Sequence, residues 1–334
     1  FRRSTSSCAN SAGAPAEAEL PSPRSIKTLL AQAGCQVDAA TGAVTPPIHP
    51  STTFERDRDG TYPRGHIYSR ASNPTRGLLE RTCATLEGGT ACAAFSSGMA
   101  AVAAIFHSRL RPGQTVLLPD DVYHGTRTLL DRSFAPWGVR TRVCDMTEHA
   151  QLAAALGEGG VSIVWVESPS NPLLKVTDIA SVSELASAKG ALTVVDATWL
   201  TPCLLRPLEH GADLVLHSAT KYMGGHSDLL GGLVVGAVES EAFSGVRAAQ
   251  ADAGGVLSPW DSWLLLRGLR SLGVRMERRS SNARAVACAL DAHPQVATVH
   301  YPGLPSHAPP PLASAPFARG SGGGLSCEVR AGEA

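Results

Sequence analysis

The stretch Ser218–Ser227 places a lysine among small hydroxyl residues and glycines, directly after an apolar run. A lysine amine such as that of Lys221 forms a Schiff base with an aldehyde when burial lowers its pKa. The hydroxyls of Ser218 and Thr220 can donate to an anion, and the glycines let a bulky ligand approach the backbone. This stretch predicts a covalently held aldehyde ligand. On this stretch alone, a surface lysine at a strand end fits equally well.

The elements around this stretch follow an α/β pattern. Short apolar segments alternate with helical ones, which indicates a mostly parallel sheet covered on both faces. The predicted strands are 115–118, 162–166, 192–195 and 214–216, and the helices between them are 126–134, 152–156 and 178–188. Functional residues of such sheets lie just past the carboxyl ends of the strands.

Polar residues stand at those strand ends. Tyr123 follows the first of these strands, Asn171 lies in the segment Glu167–Pro172 after the second, and Asp196 ends the third. A carboxylate at the lip of a buried strand needs a partner, and a protonated ring nitrogen would serve. A helix N-cap is the alternative interpretation of Asp196.

Two further stretches suit a phosphate. A strand at 91–95 leads through Ser96, Ser97, Gly98 and Met99 into a helix, whose unpaired N–H groups and positive dipole end make an anion site. A plain N-cap with nothing bound is the alternative. In the extended segment 44–76, the pair Tyr68 and Arg70 would point to one side. A guanidinium beside a phenol suits a phosphate, although a solvated arginine is commoner.

Composition and missing motifs exclude other classes. The 334 residues carry 29 basic and 29 acidic side chains, which does not suggest binding to nucleic acid or to an anionic membrane surface. No apolar run reaches the length of about 20 residues that a membrane span needs. The glycine fingerprints of dinucleotide and triphosphate sites are absent, and no spacing of metal ligands appears, so we expect no metal. The eight cysteines lack a paired spacing and are expected to be reduced.

Four segments are expected. Residues 1–25 read as a disordered or transit-like segment, so a cytoplasmic or an organellar location, including a plastid, is open. Residues 26–75 read as an extended arm, 76–255 as the large ligand-binding domain, and 256–334 as a partial α+β domain. Because the chain stops after a helix pair and two strands with an exposed edge, we expect that this domain is truncated.

Together these stretches resemble one family, the Cys/Met-metabolism enzymes that use pyridoxal phosphate: cystathionine γ-synthase, cystathionine γ- and β-lyase and methionine γ-lyase. The resemblance covers about residues 44–330 and keeps the order of the motifs. The matching stretches are Tyr68–Arg76, Ser96–Ala101, Tyr123–Thr126, Glu167–Pro172, Val195–Thr198 and His217–Asp228. It implies a fold-type I transferase, with pyridoxal 5′-phosphate as cofactor and a mostly parallel sheet in the large domain.

The resemblance also implies roles for single residues. Lys221 would bind the cofactor aldehyde covalently and then move protons, and Tyr123 would stack on the ring and act as acid or base. Asp196 would pair with the ring nitrogen, and Asn171 would lie near the substrate carboxylate. Gly98, Met99, Ser218 and Thr220 would hold the phosphate, which Tyr68 and Arg70 would reach from a neighbouring subunit. The expected assembly is a homotetramer built as a dimer of dimers.

The expected activity is transsulfuration on small amino-acid substrates. A cystathionine γ-synthase, which replaces the γ-substituent of an O-activated homoserine with cysteine, is favoured because the arm sequence 56–65 looks most similar to such members. Cystathionine γ- or β-lyase and methionine γ-lyase are alternatives that share every identified residue. A truncated, inactive homologue that only binds the cofactor or a partner subunit is a further alternative.

Overall fold

The computed structural model describes residues 25–236, 240–307 and 320–330. Its centre is a seven-stranded sheet in the order β1-β7-β6-β5-β4-β2-β3. β7 runs antiparallel to both of its neighbours, and the other adjacent pairs are parallel. The strands are β1 Ala91–Phe95, β2 Thr115–Pro119, β3 Arg140–Cys144, β4 Val161–Glu167, β5 Leu192–Asp196, β6 Leu214–Ser218 and β7 Gly232–Gly236.

Helices cover both faces of this sheet, as predicted for a doubly covered α/β layer. They are α1 Ile26–Ala31, α2 Pro74–Glu87, α3 Gly98–Arg109, α4 His124–Leu129, α5 His149–Gly157, α6 Ile179–Ser187, α7 Thr201–Leu204, α8 Glu241–Ala253, α9 Pro259–Leu269 and α10 Leu272–Asp291. A π-helical turn, Leu130–Phe134, continues α4, and short 3₁₀ turns lie at Pro207–His210 and Pro305–His307.

Local sequence signals explain where the helices next to the site begin. Asn73 caps α2 by accepting from the N–H groups of Thr75 and Arg76, with Pro74 at the first helical position. The hydroxyl of Ser97 accepts from Ala100 N–H at 3.1 Å and starts α3 directly after β1. The start of α3 is therefore set by a local cap, and Gly255 O also accepts from Ser96 N–H at 2.8 Å in the junction between β1 and α3.

Side chains of each central strand alternate between two apolar cores. In β4, Val164 and Val166 pack into one core with α2 and α9, whereas Ile163 and Trp165 pack into the other with α3 and α8. Both sets are fully buried. This two-sided burial holds the carboxyl ends of β4, β5 and β6 rigidly side by side, and these ends carry the candidate site.

A smaller unit follows the large sheet. β8 (Val296–His300) pairs antiparallel with β9 (Ser326–Val329), and α10 covers this pair with a small core that includes Ala287, Val299 and Tyr301. Val256 still bridges to Phe95 of the large sheet. The structure thus has the α/β class and the smaller α+β unit predicted from the sequence.

Several elements differ from the sequence prediction. The arm predicted as extended over 26–75 begins with a helix, α1, which the side chain of Ser25 caps. The helix pair expected after residue 255 is α9, which Ser258 caps with Pro259 at its first position, and α10, which follows after Ser271. β3 and β7 were not predicted. The segment 1–25, expected to be disordered or transit-like, lies outside the described residues except for Ser25.

Two further observations concern the described part of the chain. None of its helices is long and apolar enough to cross a membrane. Its seven cysteines are all free thiols.

Candidate active site

A cavity of about 1120 Å³ opens at the carboxyl ends of the central strands. The sequence-predicted residues that line it come from the start of α3, the loops after β2 and β4, the end of β5, and the turn after β6. They are Gly98, Met99, Tyr123, Asn171, Asp196, Ser218, Thr220 and Lys221. Eight of the ten predicted site residues therefore line one cavity, and the two exceptions are Tyr68 and Arg70.

The amino end of α3 forms one wall of this cavity. Gly98 packs so closely against β6 that a Cβ atom at this position would lie 3.1 Å from the Cβ and Oγ of Ser218. Free backbone N–H groups at the start of a 12-residue helix, together with the serine hydroxyl, offer several donors to one anion. This wall fits a phosphate group.

Thr198 connects Asp196 to Ser218 and was not predicted. Its N–H donates to Asp196 Oδ1 at 3.0 Å, and its hydroxyl oxygen accepts from Ser218 N–H at 2.8 Å. One threonine thus orients both the carboxylate and the strand end that faces the phosphate wall. The motif Val195–Thr198 contained this residue, but its sequence gave no sign of the bond to β6.

Lys221 lies in a turn after β6 and is exposed. Its amine makes no ion pair with another described residue. Thr220 anchors the turn, because its hydroxyl accepts from Gly231 N–H at 3.0 Å and lies 3.3 Å from Gly231 O. The Thr220 hydroxyl is therefore already engaged with the backbone, and its predicted phosphate contact remains a prediction.

Arg275 of α10 holds the far side of this turn. Its guanidinium donates to the carbonyls of Tyr222 at 2.5 Å and of Gly268 at 2.7 Å. Burial lowers the pKa of this arginine, and the charge of Arg279 lowers it further. Gly225 has φ +76°, and a Cβ there would collide with the Arg275 guanidinium, so both the backbone conformation and the close approach require glycine.

Two carboxyl groups stand together at the floor of the cavity. Glu167 of β4 and Asp196 of β5 are partners in the register of the parallel strands. Burial raises the pKa of Asp196, against the hydrogen bonds from Thr198. Burial and the neighbouring Asp196 raise the pKa of Glu167 well above its usual value. The site therefore favours a proton on this pair, or a cationic partner beside it.

Glu167 also holds Tyr123. Its Oε2 accepts from Tyr123 N–H at 2.8 Å, which ties the loop after β2 to the end of β4. Tyr123 is 39% exposed and lines the cavity, so its side chain is open to a ligand there. Glu167 was part of a recognised motif, but its contact with Tyr123 spans 44 residues and has no local sequence signal.

Tyr68 and Arg70 do not line the cavity of their own chain. Tyr68 is 44% exposed, and the guanidinium of Arg70 lies 5.9 Å from the centre of the Tyr68 ring. Arg70 also donates to the carbonyl of Ala251 in α8. The two side chains contact each other, but the predicted extended backbone is wrong here: residues 69–71 form a turn in which Ala71 N–H donates to Tyr68 O.

Other lining residues were not predicted as site residues. The guanidinium of Arg279 in α10 lies 5.0 Å from the centre of the Tyr222 ring. Arg279 and Lys221 are the two basic side chains among the described residues that line the cavity. Trp199 meets the glycine segment before β9, since a Cβ at Gly324 would collide with its ring. The remaining acidic lining residues are Asp228 and Asp261.

The donor set fits pyridoxal 5′-phosphate. A phosphate would meet the α3 wall, and the amine of Lys221 suits an aldehyde. The buried carboxyl of Asp196 suits a protonated ring nitrogen, because the positive charge would offset the burial that raises its pKa. Between residues 25 and 330, as far as they are described, no group of three or more His, Cys, Asp or Glu side chains is placed to hold a metal ion.

Proteins of known structure are similar to this chain in fold and in sequence. A cystathionine gamma-synthase from Xanthomonas oryzae, solved with aminoacrylate and cysteine, superposes with a TM-score of 0.87 at 41% identity, covering 93% of this chain and 79% of that one. A cystathionine gamma-lyase from Lactobacillus plantarum, complexed with L-serine, superposes with a TM-score of 0.86 at 37% identity, covering 92% and 79%.

Relatives found by sequence comparison are also cystathionine synthases and lyases. The cystathionine gamma-synthase of Mycobacterium tuberculosis H37Rv is 44% identical over 305 residues, which is 91% of this chain and 78% of that protein. The cystathionine gamma-lyase of Bacillus subtilis is 42% identical over 303 residues, 91% of this chain and 79% of that protein. A cystathionine beta-lyase of Lactococcus lactis is 44% identical over 283 residues, 85% and 73%.

Fold and site together define a fold-type I enzyme that depends on pyridoxal phosphate. More narrowly, the chain belongs to the family of Cys/Met metabolism PLP-dependent enzymes, whose match runs over residues 27–334. The family and the cofactor inferred from sequence motifs are thereby confirmed.

Proposed function

We propose that the protein is a cystathionine γ-synthase. It would join the Sγ of cysteine to the γ-carbon of an O-activated homoserine, while the leaving oxygen group departs with the bonding electron pair. The observation that carries this proposal is one cavity of about 1120 Å³ in which Lys221, Asp196, Tyr123 and Asn171 meet. This volume exceeds the roughly 300–1,000 Å³ of ordinary small-molecule sites and leaves room for a second amino acid beside the cofactor.

The roles of the residues follow from their chemistry. When bound, pyridoxal phosphate withdraws electrons from the substrate carbon next to the amino group. Lys221 would remove the α-proton there and return protons to the substrate. Asp196 would keep the ring nitrogen protonated, Gly98, Met99 and Ser218 would hold the phosphate, and Tyr123 would cover the ring.

The comparisons support the synthase and also supply the second candidate. Relatives named cystathionine gamma-synthase are 44% identical, and those named gamma-lyase and beta-lyase are 42% and 44% identical. A lyase would use the same Lys221 and Asp196. A pocket of this kind discriminates between two substrates that differ by one methylene group by only about 1–3 kcal/mol of binding free energy.

One assay separates the two candidates. The protein, loaded with pyridoxal phosphate, is incubated either with an O-acyl-homoserine and cysteine or with cystathionine alone. A synthase forms cystathionine in the first reaction and releases little oxo acid in the second. Rapid release of oxo acid in the second reaction, with no cystathionine formed in the first, would favour the lyase. The K221A variant is the control for cofactor-independent reaction.

We also propose a shared active site and a division into two domains. Exposed Tyr68 and Arg70 lie outside their own cavity and suit the phosphate of a neighbouring subunit, which requires at least a dimer and fits a dimer of dimers. The proposed division near residue 255 sets the β8–β9 unit apart from the large sheet, while α9 packs into the core of that sheet. A cytoplasmic location is proposed because the named relatives are bacterial enzymes.

A further inference from the structure

We propose that Asp121 is a positioning residue that fixes Asn171 and Tyr123 relative to each other. It belongs to the β2 loop (residues 120–123), and Asn171 belongs to the β4 loop (residues 168–176). The inference rests on the proposed function, in which both loops face the substrate. The β2 loop supplies the carboxylate of Asp121 to the β4 loop, and the end of β4 supplies the carboxylate of Glu167 to the β2 loop. The two links together form a reciprocal clamp.

The first link runs from the β4 loop to Asp121. Oδ2 of Asp121 accepts from Leu173 N–H at 2.8 Å and from the hydroxyl of Ser170. These two donors lie on either side of Asn171 in the chain. Asp121 is 7% exposed, so water does not replace these bonds easily if they are lost.

The second link runs in the opposite direction. Glu167, the last residue of β4, accepts from Tyr123 N–H at 2.8 Å. Tyr123 is two residues after Asp121, and Asn171 is four residues after Glu167. Both loops are irregular, and their backbone N–H groups need partners away from water. The two carboxylates meet this need and fix the loops to each other at the same time.

The β4 loop is also held from the other side. The hydroxyl of Ser326 in β9 donates to Pro172 O at 2.6 Å, and His307 Nε2–H donates to Leu174 O at 3.1 Å. The loop therefore lies between the large sheet and the smaller unit. Asp121 provides the contact on the sheet side, and its loss would let the segment around Asn171 shift.

Asp120 is a natural control because it neighbours Asp121 and bonds to the same loop elsewhere. Lys175 Nζ donates to Asp120 Oδ2 at 2.7 Å and to Asp145 Oδ2 at 2.6 Å. The side chain of Asp120 is 42% exposed, and Asp145 keeps hold of Lys175 when Asp120 is removed. Asp120→Ala changes charge as Asp121→Ala does, without freeing the donors beside Asn171.

The first test measures the loop directly. In the cofactor-free protein, Asp121→Ala should speed amide hydrogen exchange at Leu173, and Asp120→Ala should leave it unchanged. In the cofactor-loaded protein, titration with glycine, followed by the visible spectrum, should show about 10- to 100-fold weaker binding for Asp121→Ala. Asp120→Ala should remain within about twofold of the wild type. Asp121→Leu, which is close to aspartate in shape but offers no acceptor to Leu173 N–H, replaces Asp121→Ala if that variant does not fold.

A double-mutant cycle then separates positioning from general stability. If Asp121 acts through Asn171, the loss of glycine affinity caused by Asp121→Ala largely disappears in an Asn171→Ala background. An equal loss in both backgrounds, or unchanged exchange at Leu173, would overturn the proposal. These readouts do not depend on turnover. If the exchange and binding results are as expected but the protein forms no cystathionine, the proposed function is wrong and the positioning role of Asp121 is still supported.

Discussion

Glu167 and Asp196 lie side by side at the carboxyl ends of β4 and β5, as direct partners in the register of the sheet. The pKa of Glu167 is raised well above its usual value of 4.5, mainly because the carboxyl group is buried and also because the charge of Asp196 is close. In the cofactor-free protein this environment favours the protonated form of the pair. A cationic ring nitrogen beside Asp196 would change this balance when the cofactor binds.

The free energy of unfolding of the cofactor-free protein should decrease as the pH rises, because of Glu167. A carboxyl whose pKa is raised by folding stabilises the folded state fully below its unfolded pKa. This contribution is lost as the pH rises from about 4.5 through the raised pKa, by up to about 1.4 kcal/mol per pH unit. Glu167→Gln keeps an acceptor for Tyr123 N–H and should remove this loss. Urea unfolding at several pH values would measure it, and parallel curves for both proteins would contradict it.

The sequence predicted the central strands and most of the cavity, for reasons that are visible in particular residues. β4, β5 and β6 are buried on both faces, so they read as short apolar runs, and their polar ends marked Asp196 and Lys221. β3 was missed because Arg140 and Arg142 interrupt its pattern on an edge strand. β7 begins and ends with glycine and runs antiparallel, which concealed it between the lysine turn and α8.

The contacts that orient the site were not visible in the sequence. Asp121 meets Leu173 across 52 residues, and Thr198 meets Ser218 across 20. Such bonds depend on which strands become neighbours in space, and no local pattern encodes that. The buried pair of Glu87 and His217 is a further example, at a separation of 130 residues.

Alanine at position 98 should weaken cofactor binding. The added Cβ would lie 3.1 Å from the Ser218 side chain, in the wall that suits the phosphate. A strain of about 1.4 kcal/mol would lower the affinity about tenfold. Gly245→Ala is a matched control, because its Cβ would lie 3.2 Å from the Ser108 Cβ, outside the cavity. Spectroscopic titration with pyridoxal phosphate would compare the two, and equal affinities would argue against this phosphate position.

Mixing two inactive variants should restore activity if Arg70 serves a neighbouring subunit. An assembly of Lys221→Ala and Arg70→Ala chains contains one type of site with both residues intact. The variants would be unfolded together, refolded and assayed against each variant alone. Activity that stays at the level of the separate variants, in assemblies shown to contain both chains, would place Arg70 outside the shared site.

The central claim is that Lys221 binds the cofactor covalently. The most direct measurement is borohydride reduction of the protein loaded with pyridoxal phosphate, followed by mass spectrometry of its peptides and by the visible spectrum. We expect the mass of the reduced cofactor on Lys221, and loss of the absorption band on reduction. Lys221→Ala should show neither, while Lys175→Ala, which alters a lysine outside the cavity wall, should behave as the wild type. A cofactor attached to another lysine, or no attachment at all, would contradict the account.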